Sequence, residues 1–239
     1  MIFYKNIGSI KALSFDLDDT LYDNVPVING AEERFAKLLQ ERYRLPSEIA
    51  NRAFWDEARA FVLRKEPDCA NDMSVLRETS LMVGFARLGK IISFDTAKAL
   101  TSEFVSIRSE IKVPVSTLKL LGDLKKKYTL AAISNGNSDL KQNGLSSYFD
   151  YDFRPRIGGN RCKPYPDLFY DYAKVMALHP GDILHVGDDP FTDVAGSVKA
   201  GCICAWLEGG IVGKCAGAGA LSVLPHIKLS SLEELRIFL

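Results

Sequence analysis

Four short stretches hold the residues whose types could do chemistry together. They are Asp16-Leu17-Asp18-Asp19-Thr20, Ser134-Asn135-Gly136-Asn137, Lys163-Pro164, and Gly187-Asp188-Asp189 followed by Asp193. Alone, each is ordinary: Asp-x-Asp is a common turn with capping carboxylates, and Ser-Asn-Gly-Asn is a common turn composition. Together they pose a problem of charge. Asp16 and Asp18 beside Asp188 would repel one another unless a cation lay among them. Mg²⁺ suits that position, because it takes hard oxygen ligands, keeps several waters and favours sites shared with a phosphate.

With such a cation the residues fill the roles of phosphoryl transfer, where positioning and charge stabilisation dominate. Asp16 is the expected nucleophile, becoming an aspartyl phosphate. Asp18 is the expected acid for the leaving alcohol and then the base for water. Ser134 and the backbone amides of Asn135 and Gly136 are expected to hold phosphoryl oxygens. Thr20, which ends the first stretch, and Tyr22, just beyond it, complete the expected substrate contacts. Lys163 would supply fixed positive charge to the nucleophile and the transferring group. Asp188 is the expected metal ligand, supported by Asp189 and Asp193.

These residues need a scaffold that brings distant stretches to one place. Four apolar runs, Ala12 to Leu17, Leu130 to Ile133, Ile183 to Val186 and Cys202 to Leu207, suit strands of a parallel sheet covered on both faces. Helical patterns alternate with them at Ser116 to Lys127, Asn137 to Leu145, Pro164 to Leu178 and Asp193 to Ala200. That alternation predicts a Rossmann-like, doubly wound α/β core. In such a sheet ligands bind beyond the carboxyl ends of the strands, where three of the stretches fall, while Lys163-Pro164 precedes a helix between the second and third of these strands. Between Tyr22 and Ile111 no strand pattern occurs. Four helical blocks stand there instead: Pro26 to Tyr43, Ser47 to Lys65, Asp72 to Leu88 and Ser93 to Ser109. They predict an inserted, all-helical (four-helix) cap domain at 22–111, with residues 1–21 and 112–239 forming the core.

On these motifs the chain resembles the haloacid dehalogenase-like hydrolases. The residues that carry the resemblance are Phe15-Asp-Leu-Asp-Asp-Thr-Leu21, Ile133-Ser-Asn-Gly136, Lys163-Pro164, and His185-Val-Gly-Asp-Asp189 with Asp193. It covers essentially the whole chain. It implies Asp16 and Asp188 as Mg²⁺ ligands, with the backbone carbonyl of Asp18 as a third. Within the family, Tyr22-Asp-Asn24, Thr192-Asp-Val-Ala-Gly196 and Leu224-Pro-His-Ile227 are similar to bacterial phosphatases of flavin mononucleotide. Those enzymes also take the pyrimidine ribityl-phosphate of riboflavin biosynthesis, so a small phosphorylated metabolite of that kind is the implied substrate.

Other chemistries of the same residues stay open. A phosphomutase could use Asp16 and Asp18 to relay phosphate, and a phosphatase could act on another sugar or nucleotide phosphate. A haloacid dehalogenase would need no acid at Asp18, because halide leaves unprotonated. A receiver-like switch shares the Asp, hydroxyl, Lys and metal, but is about half this length and lacks the helical insertion. In the cap, Phe54, Trp55, Arg59 and Arg64 could meet a substrate ring or phosphate, although aromatics at helical spacing ordinarily form core. His185 reads as a hydrogen-bonded structural residue, and His179 and His226 as loop or surface residues.

Composition narrows the partners. The 239 residues are 47% hydrophobic and 25% charged, with 30 basic and 30 acidic side chains. That balance carries no electrostatic footprint for nucleic acid or an anionic membrane. The one basic cluster, Lys125-Lys126-Lys127, ends a predicted helix, where cations suit the dipole. Five cysteines without a Cys-x-x-Cys pair argue against a disulfide framework or zinc site. No signal-peptide pattern opens the chain, and no apolar stretch reaches the ~18 residues needed to span a bilayer. The chain is therefore expected to be cytoplasmic, with no obligate protein partner.

Overall fold

A computed structural model of the chain describes residues 1–213 and 221–239. Its strands are β1 (Ile2–Phe3), β2 (Ala12–Phe15), β3 (Thr129–Ile133), β4 (Tyr151–Phe153), β5 (Ile183–Gly187), β6 (Ile203–Leu207) and β7 (Ile227–Leu229). Its α-helices are α1 (Val25–Tyr43), α2 (Arg52–Lys65), α3 (Met73–Arg87), α4 (Phe94–Arg108), α5 (Val115–Lys125), α6 (Asp167–Met176) and α7 (Gly196–Ala200). The strands form one sheet in the order β1-β7-β6-β5-β2-β3-β4. All neighbours are parallel except β1 and β7.

The period of two along each strand divides the core into two layers. Leu13, Phe15, Leu130, Ala132, Leu184 and Val186 pack on one face with Leu120, Leu121 and Leu124 of α5. Ala12, Ala131, Ile133 and Ile183 pack on the other with Leu168, Phe169 and Tyr172 of α6. The expected doubly wound α/β core is the one observed. Because β2 lies between β3 and β5, the three polar stretches that follow these strands emerge side by side at one rim.

Between β2 and α5 the chain forms α1 to α4, which share a core of their own. Phe35 and Leu39 of α1, Trp55 of α2, Leu81 and Phe85 of α3, and Leu100 and Phe104 of α4 close it. The caps explain two of the starts. Asp72 accepts hydrogen bonds from the Ser74 and Val75 amides, and Ser93 from the Thr96 amide. Gly84 permits the closest approach, since a Cβ there would lie 2.3 Å from the Trp55 ring.

Several expected elements differ. The helix expected from Ser47 starts at Arg52, because Asn51 accepts from the Phe54 amide and caps it there, while the Ser47 hydroxyl turns to Glu48. The helix expected over Asn137 to Leu145 is a chain of turns. There Asp139 accepts from the amides of Lys141 and Gln142, and Asn143 from that of Leu145, competing with helical pairing. The Pro164 to Leu178 helix begins only at Asp167 and ends at Ala177, which adopts a left-handed conformation. The segment around Asp193 starts as a π-helical turn, Pro190–Ala195, before α7. Strands β1, β4 and β7 were too short to show a pattern. Cys69, Cys162, Cys202 and Cys204 are free thiols, whereas Cys215 lies outside the described residues. Among the described residues, no helix is long and apolar enough to cross a membrane.

Candidate active site

The rim gathers a buried group of charges around Lys163. Its Nζ donates to Asp16 Oδ1 at 2.7 Å and to Asp193 Oδ1 at 2.6 Å. Lys163 is 2% exposed, Asp16 8% and Asp193 1%, so these contacts act in a medium that screens them weakly. Burial alone would push the lysine toward neutrality, but Asp16 and Asp193 hold its pKa above the ordinary value. Lys163 in turn is set by Asn135, whose side chain accepts from the Lys163 amide at 2.8 Å and donates to its carbonyl at 2.9 Å.

Asp193 is fully engaged by the protein. Besides Lys163 it faces His185 Nε2 at 3.2 Å, and it accepts from the Asp189 amide at 3.0 Å. Burial opposes its charge, yet Lys163 and His185 keep its pKa below the ordinary range. A carboxylate can only accept, so His185 donates through Nε2, and Nδ1 is left to accept from the Ser14 hydroxyl at 2.9 Å. Burial lowers the His185 pKa, and a neutral, bridging imidazole is the structural role expected of it. Asp189 turns away from this group and caps the π-helical turn through the Phe191 and Thr192 amides.

One oxygen each from Asp16, Asp188 and Asp193 lies within 4.8 Å of the others. Lys163 reaches two of these three carboxylates, those of Asp16 and Asp193. Burial first, and then Asp193, Asp188 and Asp18 against the opposing Lys163, raise the pKa of Asp16. Thr20 donates to Asp188 Oδ1 at 2.7 Å and is wholly buried. The donor set is all oxygen and carries more negative than positive charge, which fits a small hard cation. Asp16, Asp188 and Asp193 are the carboxylates that could hold one.

Asp18 stands apart from that group, although only Leu17 separates it from Asp16. Strand β2 ends at Phe15, and past Asp18 the chain turns at Asp19, whose backbone is left-handed with φ near 58°. The Asp18 carboxylate accepts from the Tyr22 hydroxyl at 2.7 Å and from Arg108 Nη2 at 2.9 and 3.1 Å. It borders a cavity of about 300 Å³ between the sheet rim and α1, α2, α3 and α4. Gly136 closes that approach: a Cβ there would fall 2.6 Å from Asp18 Oδ2. Ser134 is buried beside it, its hydroxyl accepting from the Gly136 amide at 3.2 Å.

Arg108 escaped the sequence reading. It is the last residue of α4, a place where arginine ordinarily meets solvent and the helix dipole. Here it is 3% exposed, and its Nη1 reaches Asn137 Oδ1 at 3.0 Å. Of the residues considered between 22 and 111, Trp55 is buried in the helical core and Arg59 lines the cavity, while Arg64 is exposed outside it.

The fold agrees with that of known proteins. A family model for haloacid dehalogenase-like hydrolases matches residues 10–201, and the chain belongs to that family. It is 35% identical over 243 residues to the 5-amino-6-(5-phospho-D-ribitylamino)uracil phosphatase YigB of Escherichia coli (strain K12), covering 98% of each chain. It is 26% identical to the N-acylneuraminate-9-phosphatase of Rattus norvegicus, covering 96% of this chain and 93% of that one. A solved 2-haloacid dehalogenase from Pseudomonas syringae pv. Tomato DC3000 superposes with a TM-score of 0.79 at 29% identity, over 95% of this chain and 97% of that one. The chain is a phosphatase of this family, the class that both curated relatives share.

Proposed function

We propose that this phosphatase is Mg²⁺-dependent, works through an aspartyl phosphate on Asp16, and acts on a ribityl-phosphate metabolite. The pyrimidine ribityl-phosphate of riboflavin biosynthesis and flavin mononucleotide are the substrates in view. The observation that carries the mechanism is the separation of two neighbouring carboxylates. Asp16 is sealed against Lys163 with Asp188 at hand, whereas Asp18 faces the cavity between Tyr22 and Arg108. Pairs of carboxylates held in unlike surroundings divide nucleophilic from acid–base work.

Asp16 attacks phosphorus, the bond to the substrate alcohol breaks, and that alcohol leaves with the proton of Asp18. Water then attacks the aspartyl phosphate, gives its proton to the Asp18 carboxylate, and the Asp16–phosphorus bond breaks to release phosphate. Lys163 and Ser134 stabilise charge on the phosphoryl oxygens, and Asn135 fixes Lys163. Asp16, Asp188 and the Asp18 carbonyl would hold Mg²⁺. When bound, the cation neutralises charge that would keep a carboxylate from a phosphate dianion. Residues 22–111 act as a cap that excludes water and shapes the pocket.

The structural likeness to a dehalogenase favours a second reading, in which Asp16 displaces halide. Asp18 weighs against it, since a departing halide needs no proton. A screen of phosphate esters and 2-haloacids with Mg²⁺ separates the two. Phosphate release, lowered about 10⁴-fold or more in Asp16→Asn, is the expected result. Halide release without phosphate release, or full activity in the variant, would overturn the proposal.

A further inference from the structure

The wall of the cavity away from Asp18 carries charges that the phosphoryl chemistry does not use. Glu32 of α1, 6% exposed, sits between Arg59 of α2 and Arg77 of α3. Its Oε1 accepts from Arg77 Nη2 at 2.6 Å and from Arg59 Nη2 at 2.8 Å, and its Oε2 accepts from Arg77 Nη1 at 3.2 Å. Burial disfavours the Glu32 charge, but the two arginines outweigh it and lower its pKa. The Arg77 guanidinium lies on the Phe104 ring, 3.3 Å from its centroid. Arg77 is thus held on one side by an aromatic face and on its edge by a carboxylate. Both of its terminal nitrogens serve Glu32.

Arg59 is differently placed. Among the described residues it donates one hydrogen bond, to Glu32, out of the five N–H groups a guanidinium carries. Its other partner, Asp56, is 3.7 Å away and outside hydrogen-bond range. The side chain is 32% exposed and lines the cavity. Glu32 and Asp56 balance the charge of the two guanidiniums, but Arg59 keeps unused donors. A fork of planar N–H groups matches a planar group bearing acceptor oxygens.

We propose that Arg59, oriented by Glu32 and Arg77, is a specificity-determining residue that reads acceptor oxygens on the end of the substrate remote from phosphate. This rests on the reading of the rim as the phosphate site. The acceptors belong to a planar conjugated group, either the carbonyl edge of a pyrimidinedione or a carboxylate. An unsubstituted polyol phosphate offers neither and would leave Arg59 unpaired, a situation that sites built on polar contacts reject strongly.

The test compares kcat/KM for three phosphomonoesters: the pyrimidinedione ribityl-phosphate, N-acetylneuraminate 9-phosphate and ribitol 5-phosphate. The wild-type enzyme should favour one of the first two over ribitol 5-phosphate, and which one it favours identifies the ring or the acid. Arg59→Met keeps the apolar stem and leaves Glu32 its two bonds from Arg77. It should reduce that preference about tenfold or more, through KM and not kcat. Arg59→Lys should restore part of it. A preference within twofold of wild type in Arg59→Met would overturn the inference while leaving the phosphatase reading intact. Turnover of no ester by the wild type would overturn the reading of the rim, and this inference with it.

Discussion

Asp18 is held by two different kinds of donor, and they can be separated by substitution. Tyr22 offers a single hydroxyl, while Arg108 offers a charged fork that also reaches Asn137. Lysine at 108 would keep the charge but lose the fork. Arg108→Lys should lower kcat/KM about tenfold to a hundredfold, the range of one lost charged hydrogen bond. Steady-state kinetics beside a melting curve would check it, and unchanged kinetics would remove Arg108 from the acid's setting. The Asp16→Asn variant probes the other carboxylate. Its melting temperature should not fall, because burial, and then Asp193, Asp188 and Asp18, disfavour the Asp16 charge more than Lys163 favours it.

At the scale of the element, the helical block is held by the Glu32 ion group and by close packing at Gly84. Glu32→Gln would leave two arginines against a neutral amide, one of them, Arg77, with a side chain only 13% exposed. Breaking a buried ion pair in this way costs about 3 kcal/mol. The sign of the pH effect follows from the lowered pKa of Glu32. Its stabilisation is complete above its ordinary value of 4.5 and is lost as pH falls through the lower folded value. Thermal unfolding of the wild type should therefore weaken below about pH 4.5, and Glu32→Gln should flatten that limb. Gly84→Ala tests the packing. Alanine favours a helix over glycine by about 1 kcal/mol, yet its Cβ would lie 2.3 Å from Trp55. Net destabilisation of about 1–2 kcal/mol is expected from denaturant titration, and a stabilised variant would contradict the packing account.

Across the whole molecule, polar contacts join the helical block to the sheet rim. Asn137 donates to Ser74 at 3.2 Å, the Cys162 amide to Asn71 at 2.9 Å, and Arg108 to Asp18. A ligand bound between the two parts adds its own contacts to this seam. Mg²⁺ with a phosphate analogue at about a hundred times Kd should add ~2.7 kcal/mol, raising the melting temperature by about 5–10 °C. Chelation should remove both the shift and the activity. A shift that survives chelation would count against a metal shared with the phosphate.

Much of this was legible in order along the chain. The strands β2, β3, β5 and β6 are short apolar runs buried on both faces, so hydrophobicity alone marked them. Asp16, Ser134, Lys163 and Asp188 were visible because each stands where such a run or a helix must end or begin. Local chemistry was read less well. The turns at 137–145 carry a helical composition, but Asp139 and Asn143 spend their side chains on nearby amides. Asp189 and Thr20 look like site residues, and the structure commits one to a cap and the other to Asp188.

What the sequence determined by itself was the set of reacting groups and the sheet that presents them, because both follow from residue type and short-range periodicity. Only the tertiary structure decided which of them meet. Asp16 and Asp18 are two residues apart, yet Asp16 meets Lys163 in a buried charge group while Asp18 meets Tyr22 and Arg108 at the cavity. Arg108 reaches Asp18 across 90 residues, and Glu32, Arg59 and Arg77 come from three different helices. No local pattern encodes such pairs: an arginine on a helix looks solvated until packing takes the water away and supplies a carboxylate.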